Sequence, residues 1–377
     1  MIRYKVLVVD DSAFMRKLIT ELISEDPEFE VIATAKNGKE AVDLTERLRP
    51  DVITMDVEMP VMNGIEALQA IMAKCPTPVI MLSSLTASGS EYTILALEYG
   101  AVDFLQKPSG SISVDLYKVK EALLSKLHIA LNAKVRKGTR IPPVGAIKPN
   151  AALQTAQQKP VGDHGGTAGG FRHLVAIGTS TGGPKALQNV LPALPKDYPA
   201  PILIVQHMPP NFTRSLAQRL NLLSNIRVLE AEQGMPVERG TAYIAPGDWH
   251  MRLTRKGASS YVIQLTKEDP RNGHRPSVDV LFESLEEMKE LTRHLVILTG
   301  MGGDGARAMK RLRAAGAATT IAESEETCVV YGMPKVAVEL QAAMHVLPLY
   351  DIPRKLIECV GYDRTYSSPG GVGNGVQ

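Results

Sequence analysis

The sequence predicts two α/β domains, each a doubly wound and mostly parallel sheet, joined by a linker and ending in a short irregular tail. Three observations carry this. Short β-branched apolar runs alternate with longer amphipathic stretches over residues 1–125, the pattern of strands buried between helices. Periodicity stops from about Lys134 to Gly170, so that 126–170 holds a helix end and a flexible linker, and it resumes over 171–362. The 377-residue length suits two cores better than one.

In the first domain the strand candidates are Lys5–Val9, Val31–Ala35, Val52–Met55, Val79–Leu82 and Ala101–Leu105. Helix-like segments fall near 13–25, 38–48, 64–74, 88–98 and 113–133, so five βα units make a flavodoxin-like (βα)5 domain. From Lys134 to Gly170 the chain is rich in Pro, Gly, Gln and Ala, with Lys134, Arg136, Lys137, Arg140, Lys148 and Lys159 against the lone Asp163. Scattered charge without periodicity reads as a solvated linker. In the second domain strands are expected at His173–Ile177, Ile202–Gln206, Arg227–Leu229, Ala242–Ala245, Val262–Leu265, Leu295–Thr299 and Thr319–Ala322. Helices are expected near 184–192, 212–222, 277–291, 304–315 and 333–343, and the Gly-rich tail 363–377 is expected to be disordered.

Composition narrows the function classes. Hydrophobic and charged fractions of 44% and 22% are ordinary for a globular protein, and a net charge of +2 offers no footprint for nucleic acid. Neither a helix-turn-helix pattern nor a basic C-terminal surface favours an output through DNA. The three cysteines, Cys75, Cys328 and Cys359, have no C-x-x-C spacing, which argues against a disulfide framework or a zinc site. The N-terminus runs straight into a strand, and no apolar stretch is long enough to span a bilayer. The expectation is a cytoplasmic protein without membrane insertion.

In an open parallel sheet, functional groups gather beyond the carboxyl ends of the strands. In the first domain those ends carry Asp10 and Asp11, then Asp56, then Ser83 and Ser84, then Lys107-Pro108. Three converging carboxylates repel one another unless a cation compensates, and oxygen ligands of this kind suit Mg²⁺ and phosphoryl transfer. An Asp nucleophile, a hydroxyl and a charge-balancing Lys together make a phospho-acceptor site. These stations, in V-L-V-V-D-D, D-V-I-T-M-D-V-E-M-P-V-M-N-G, M-L-S-S and F-L-Q-K-P-S-G, resemble the receiver domains of two-component response regulators. The resemblance implies phosphorylation at Asp56, Mg²⁺ bound by Asp10, Asp11 and Asp56, and phosphate contacts from Ser83 and Lys107. Phe104 stands at the aromatic switch position of that family, where a plain core role is the alternative.

In the second domain, L-V-A-I-G-T-S-T-G-G (174–183) ends an apolar run and sets Ser180 between glycines ahead of a helix. That is the setting of a nucleophile elbow, with helix N–H groups available to an oxyanion; a simple helix cap is the alternative. A base is then needed. His207 follows the apolar strand P-I-L-I-V-Q-H and reaches the same edge, whereas His128, His164 and His173 are poorly placed and His250 and His274 are rivals. For the orienting carboxylate, L-V-I-L-T-G-M-G-G-D-G places Asp304 just past another strand. The same segment is formally G-x-G-x-x-G with Glu323 about 20 residues on, as in dinucleotide sites. A negative charge inside that turn opposes a pyrophosphate, so a triad is placed ahead of a helix cap, and the cap ahead of a cofactor site. The order Ser180, His207, Asp304 differs from that of α/β-hydrolases, so a separate hydrolase fold is expected.

The segments I-G-T-S-T-G-G, Q-H-M-P-P-N-F-T, A-Y-I-A-P-G-D-W-H-M, H-R-P-S-V-D-V-L-F, L-T-G-M-G-G-D-G and C-V-V-Y-G-M-P resemble the chemotaxis protein-glutamate methylesterases of the CheB family. The resemblance implies a triad of Ser180, His207 and Asp304, an oxyanion hole near the backbone of Thr181 and Met301, and no cofactor for the ester chemistry. It also implies methyl-accepting chemoreceptors as substrate, deamidation of receptor glutamines, and a chemotaxis histidine kinase as phosphodonor. Arg275, Ser277, Asp279 and Cys328 fall in similar segments without a role that their spacing reveals.

Overall fold

The computed structural model describes residues 3–84, 86–107, 115–133, 170–257 and 260–361. The linker charges from Lys134 to Asp163, His164, Pro108, the expected helix start at 113 and the tail 363–377 lie outside the described residues.

The N-terminal sheet comprises β1 (Tyr4–Val9), β2 (Phe29–Ala35), β3 (Val52–Asp56), β4 (Val79–Ser83) and β5 (Asp103–Gln106), all parallel, in the order β2-β1-β3-β4-β5. Helices α1 (Ala13–Ser24), α2 (Gly38–Leu48), α3 (Gly64–Lys74), α4 (Ala87–Glu98) and α5 (Asp115–Leu131) alternate with them. Side chains preset several helix starts. Ser12 accepts from Met15 N and Asn37 from Glu40 N, while Asn63 and Glu66 form a reciprocal capping box.

The C-terminal sheet has seven parallel strands: β6 (His173–Thr179), β7 (Ile202–Gln206), β8 (Arg227–Glu230), β9 (Thr241–Ile244), β12 (Thr292–Ile297), β13 (Thr319–Glu323) and β14 (His345–Leu347). Their order is β14-β13-β12-β6-β7-β9-β8. Helices α6 (Gly183–Val190), α7 (Phe212–Leu223), α8 (Val278–Ser284), α9 (Ala306–Ala314), α10 (Met333–Glu339) and α11 (Ile352–Cys359) complete the domain. β6 is central and buried on both sides, with residues 174–179 all buried, as its unbroken apolar run predicts.

Four expectations need correction. Val262–Leu265 does not join the main sheet; it lies in β11 (Tyr261–Thr266), which pairs antiparallel with the unforeseen β10 (His250–Arg255). The strand β14 and the helix α11 fall in segments where the sequence predicts no element. The helix expected over 277–291 ends at Ser284, whose hydroxyl donates to Leu281 O and accepts from Leu253 N, tying it to β10. The helix expected to reach 343 ends at Glu339, ahead of Gln341 in a left-handed conformation (φ 55°).

The two domains share an apolar cluster that runs from Leu97 and Phe104 to Met208 and Phe212. Phe104 stacks on Phe212 with ring centroids 4.5 Å apart. Around it, Arg219 on α7 forks onto Glu98 of α4 (2.9 and 3.1 Å), and Ser90 meets Ser215 at 2.8 Å.

Candidate active site

From β6 the chain moves first to β7 on one side, and later to β12 on the other. The crevice at such a switch point collects the residues that end these strands. Ser180 follows β6, His207 follows β7, and Asp304 lies beyond β12. The turn is held from both flanks: Ser180 N donates to Thr299 O (3.1 Å), His207 N to Thr179 O (3.2 Å), and Gly183 N to Ser180 O (2.8 Å). The left-handed residue of this turn is Gly182 (φ 80°), whereas Ser180 has no positive φ. Pro184 then opens α6, where its missing N–H costs nothing.

His207 Nε2 lies 2.8 Å from Asp304 Oδ2. The Asp304 carboxylate also accepts from Ser277 Oγ (2.8 Å), Val278 N (2.7 Å) and Asp279 N (3.1 Å). Burial alone would push this carboxyl up, yet His207 and the two backbone N–H groups outweigh it and hold it down at about 2. His207 Nδ1, on the other side of the ring, is buried and has no partner among the described residues. The His274 ring stacks on His207 with centroids 3.8 Å apart, and burial followed by the His207 charge pushes it down to about 4. His274 therefore sits beside the imidazole, while the other rival, His250, is buried on β10 with Nε2 on Asp269 O (3.1 Å).

These bonds recast the capping alternative. Asp304 caps α8 rather than the helix that follows it. In return Asp279, in the first turn of α8, accepts from Ala308 N of α9 (3.2 Å). Asp279 also accepts from Asn272 Nδ2 (3.1 Å), and burial followed by the Asp304 charge pushes its carboxyl up. Arg275 ties a rim loop together, donating to Asp248 Oδ1 (2.5 and 3.0 Å) and to Glu268 O (3.0 Å). Against a dinucleotide site, Glu323 is fully buried and accepts from Thr299 N (2.8 Å) and Thr327 Oγ1 (2.9 Å), so its carboxylate does not face a ribose. Cys328 is a buried thiol near Glu323 O.

Ser180, His207 and His274 line a cleft of about 330 Å³ whose opposite wall is Leu97, Asp103, Phe104 and Lys126 of the N-terminal domain. Asp103 Oδ2 accepts from Thr181 Oγ1 (2.6 Å) and pairs with Lys126 Nζ (2.8 Å). Met301 is 47% exposed, with Ser125 Oγ 3.9 Å from its sulfur.

At the far edge of the N-terminal sheet, Lys107 Nζ reaches both Asp10 Oδ2 and Asp56 Oδ2 at 2.8 Å. Carboxylate oxygens of Asp10, Asp11 and Asp56 all lie within 4.8 Å of one another. Burial pushes the Asp56 carboxyl up to about 6 even though Lys107 opposes it. The Ser83 hydroxyl is buried, 3.2 Å from Gly89 O and 2.7 Å from Thr93 Oγ1. No helix among the described residues is long and apolar enough to cross a membrane.

Two family models match the chain: the response regulator receiver domain over residues 6–114 and CheB methylesterase over 175–356. A protein-glutamate methylesterase/protein-glutamine glutaminase of Halalkalibacterium halodurans is 52% identical over 337 residues, covering 89% of this chain and 92% of that protein. One of Thermotoga maritima is 47% identical over 356 residues, covering 94% and 98%. Among solved structures, the catalytic domain of Thermotoga maritima CheB methylesterase is similar to 49% of this chain and 97% of its own length, at 48% identity and a TM-score of 0.47. Relatives this similar over nearly the whole chain place it plainly: it belongs to the protein-glutamate methylesterase/protein-glutamine glutaminase family, a receiver domain joined to a CheB methylesterase domain.

Proposed function

We propose that the chain is a phosphorylation-activated serine hydrolase that demethylates glutamate γ-methyl esters of chemoreceptors and deamidates receptor glutamines, with Ser180 as nucleophile. The observation that carries this is the buried His207–Asp304 bond at 2.8 Å beside a serine held in the same cleft. Asp304 is an acceptor, so His207 donates to it from Nε2–H, and Nδ1 is left with the lone pair of the general base. Ser180 Oγ adds to the ester carbonyl carbon as its proton passes to His207 Nδ1. The oxyanion is received by backbone N–H groups near Thr181 and Met301. Collapse breaks the C–O bond to the methoxy group, which takes the proton from His207 and leaves as methanol. A water then adds to the acyl-enzyme, yielding its proton to His207, and Ser180 departs with that proton to leave a free γ-carboxyl group. With glutamine the group that leaves is ammonia. This chemistry needs no cofactor.

The acidic pocket supports phosphorylation at Asp56, with Ser83 and Lys107 contacting the phosphoryl oxygens. The three clustered carboxylates fit a divalent cation held by oxygen ligands, and Asp10, Asp11 and Asp56 would hold Mg²⁺. When bound, the ion supplies positive charge that offsets the developing charge on the phosphoryl group. A chemotaxis histidine kinase is the natural phosphodonor and methyl-accepting chemoreceptors are the substrate partners, met in the cytoplasm. Because Asp103, Phe104 and Lys126 wall the cleft, the unphosphorylated receiver occludes it, and an acyl-phosphate shifts the domains apart. The test is methanol release from methylated receptor membranes with and without a small phosphodonor. Ser180→Ala should abolish release while Asp56 still takes up phosphate; sustained release by that variant overturns the assignment.

A further inference from the structure

Gln206 ends β7 as the one polar side chain of a strand that is otherwise wholly apolar, I-L-I-V-Q, and it is only 2% exposed. A buried amide is costly unless its groups are matched, so its partners are informative. Its Nε2 donates to Ser180 O (3.0 Å) and to His207 O (3.2 Å). Both acceptors are carbonyls, which only the NH₂ end can satisfy, so the amide orientation follows from chemistry. One side chain therefore bridges the backbones of the two residues between which the proton moves. Its other end, Oε1, is buried with no partner among the described residues. A Cβ on Gly183 would lie 2.0 Å from that oxygen and 2.3 Å from Thr179 Oγ1, so the glycine leaves the room that the amide occupies.

We propose that Gln206 is a positioning residue that fixes the Ser180 turn against the end of β7, setting the distance from the Ser180 hydroxyl to His207 Nδ1. The proposal rests on the serine-hydrolase assignment above. The unmatched Oε1 fits it: the fold tolerates a buried, unpaired acceptor here because the opposite end holds two elements in register. Beside it, His207 N donates to Thr179 O (3.2 Å), one residue before the serine, at the end of the β6–β7 ladder.

The experiment uses the full chain, activated by a small phosphodonor, on methylated receptor membranes. Gln206→Met keeps the length and removes both donors. A displacement of the nucleophile by a fraction of an ångström to 1 Å should lower kcat by roughly 10- to 100-fold, with KM within about twofold, because Gln206, though it lines the cleft, is only 2% exposed. Labelling of Ser180 by a fluorophosphonate should slow in proportion to kcat. Gln206→Glu separates positioning from packing: ionised, it sets acceptors against two carbonyls, and protonated it recovers one donor. Its deficit relative to the parent should therefore shrink as the pH is lowered, whereas that of Gln206→Met stays constant. If Gln206→Met does not fold, the nearly isosteric Gln206→Glu carries the test alone, with Asp56 phosphorylation confirming an intact receiver. A kcat within twofold of the parent for a folded variant, or a rise in KM with kcat unchanged, overturns the proposal. Failure of the underlying assignment looks different: Ser180→Ala would then keep its turnover and the probe would label another residue.

Discussion

Replacing Asp304 by Asn separates a catalytic carboxylate from a helix cap. The carboxylate collects four hydrogen bonds, from His207, Ser277, Val278 and Asp279. Its folded-state value is held at about 2, against an ordinary 3.8. A depressed carboxylate stabilises the fold above its ordinary value, and that contribution is lost as pH falls from about 3.8 through 2. The difference amounts to about 2 kcal/mol at neutral pH. Asn forfeits this and leaves one carbonyl oxygen for four donors. In a domain of this size the expected fall in Tm is about 4–8 °C. Asn also turns an NH₂ group towards a ring whose Nε2 must donate, which favours the wrong imidazole tautomer, and loss of that control costs about 10⁴-fold in kcat in other serine triads. Thermal unfolding and methanol release should be measured on the same variant, with Ser277→Ala as control. The control removes one donor from Asp304 and should lower Tm with only a modest change in kcat. A variant that loses stability as expected but stays within tenfold of the parent kcat would falsify the triad and leave Asp304 as the cap of α8.

Two further outcomes test the domain interface and the buried histidines. Arg219→Glu sets two carboxylates against each other where Arg219 now forks onto Glu98. Basal esterase activity should rise roughly tenfold, the population shift that 1.4 kcal/mol produces, and Glu98→Arg in the same chain should restore occlusion; unchanged basal activity in the single variant refutes this role for the contact. His294, buried against His173 at 3.0 Å, is pushed down to about 4 by burial and then by the His173 charge. A depressed histidine stabilises the fold fully above its ordinary 6.5, and this is lost as pH falls towards 4, about 2 kcal/mol between pH 7.5 and 5. Urea midpoints of the C-terminal domain should fall over that range, and His294→Gln should remove this share while leaving that of His274; an undiminished slope refutes it.

The strand ends were legible because parallel strands buried on both faces read as unbroken apolar runs, so the first polar residue after each marks the functional edge. That logic alone brings Asp10, Asp56 and Lys107 to one edge and Ser180 and His207 to another. The partners of Asp304 were not legible. Reciprocal capping between Asp304 and Asp279 joins segments 25 residues apart through backbone N–H groups, and such groups leave no signature in residue type. Only half of the hairpin β10–β11 is legible, because Val262–Leu265 looks like any short buried strand, while its partner H-M-R-L-T-R interleaves charge with apolar residues. Gln206 did carry a signal, an amide closing an apolar strand, but nothing in the sequence said which carbonyls it would face. Contacts between domains, such as Phe104 on Phe212, are invisible to any reading that treats each domain alone.

The placement of Phe104 bears on how a phosphoryl group at one edge can act on a cleft at another. β5 is only four residues long, Asp103 to Gln106, or about 13 Å of extended chain. Just past one end Lys107 N is bonded to Ser83 O (2.8 Å) and Lys107 Nζ bridges Asp10 and Asp56. At the other end Asp103 holds Thr181, the residue after the proposed nucleophile, and Phe104 fills the interface. β5 is the edge strand, paired to β4 alone, yet its ladder bonds still let it transmit displacement along its axis better than a loop would. If Asp56 is phosphorylated as proposed, drawing Lys107 and Ser83 towards the phosphoryl group would pull on the element that holds Asp103 and Phe104 against the cleft. On this account Asp103→Ala, which frees Thr181 without touching the acidic pocket, should raise basal turnover and shrink the further gain from phosphodonor. A variant whose fold-activation by phosphodonor is unchanged would place the coupling in α4 and its Glu98 contact instead.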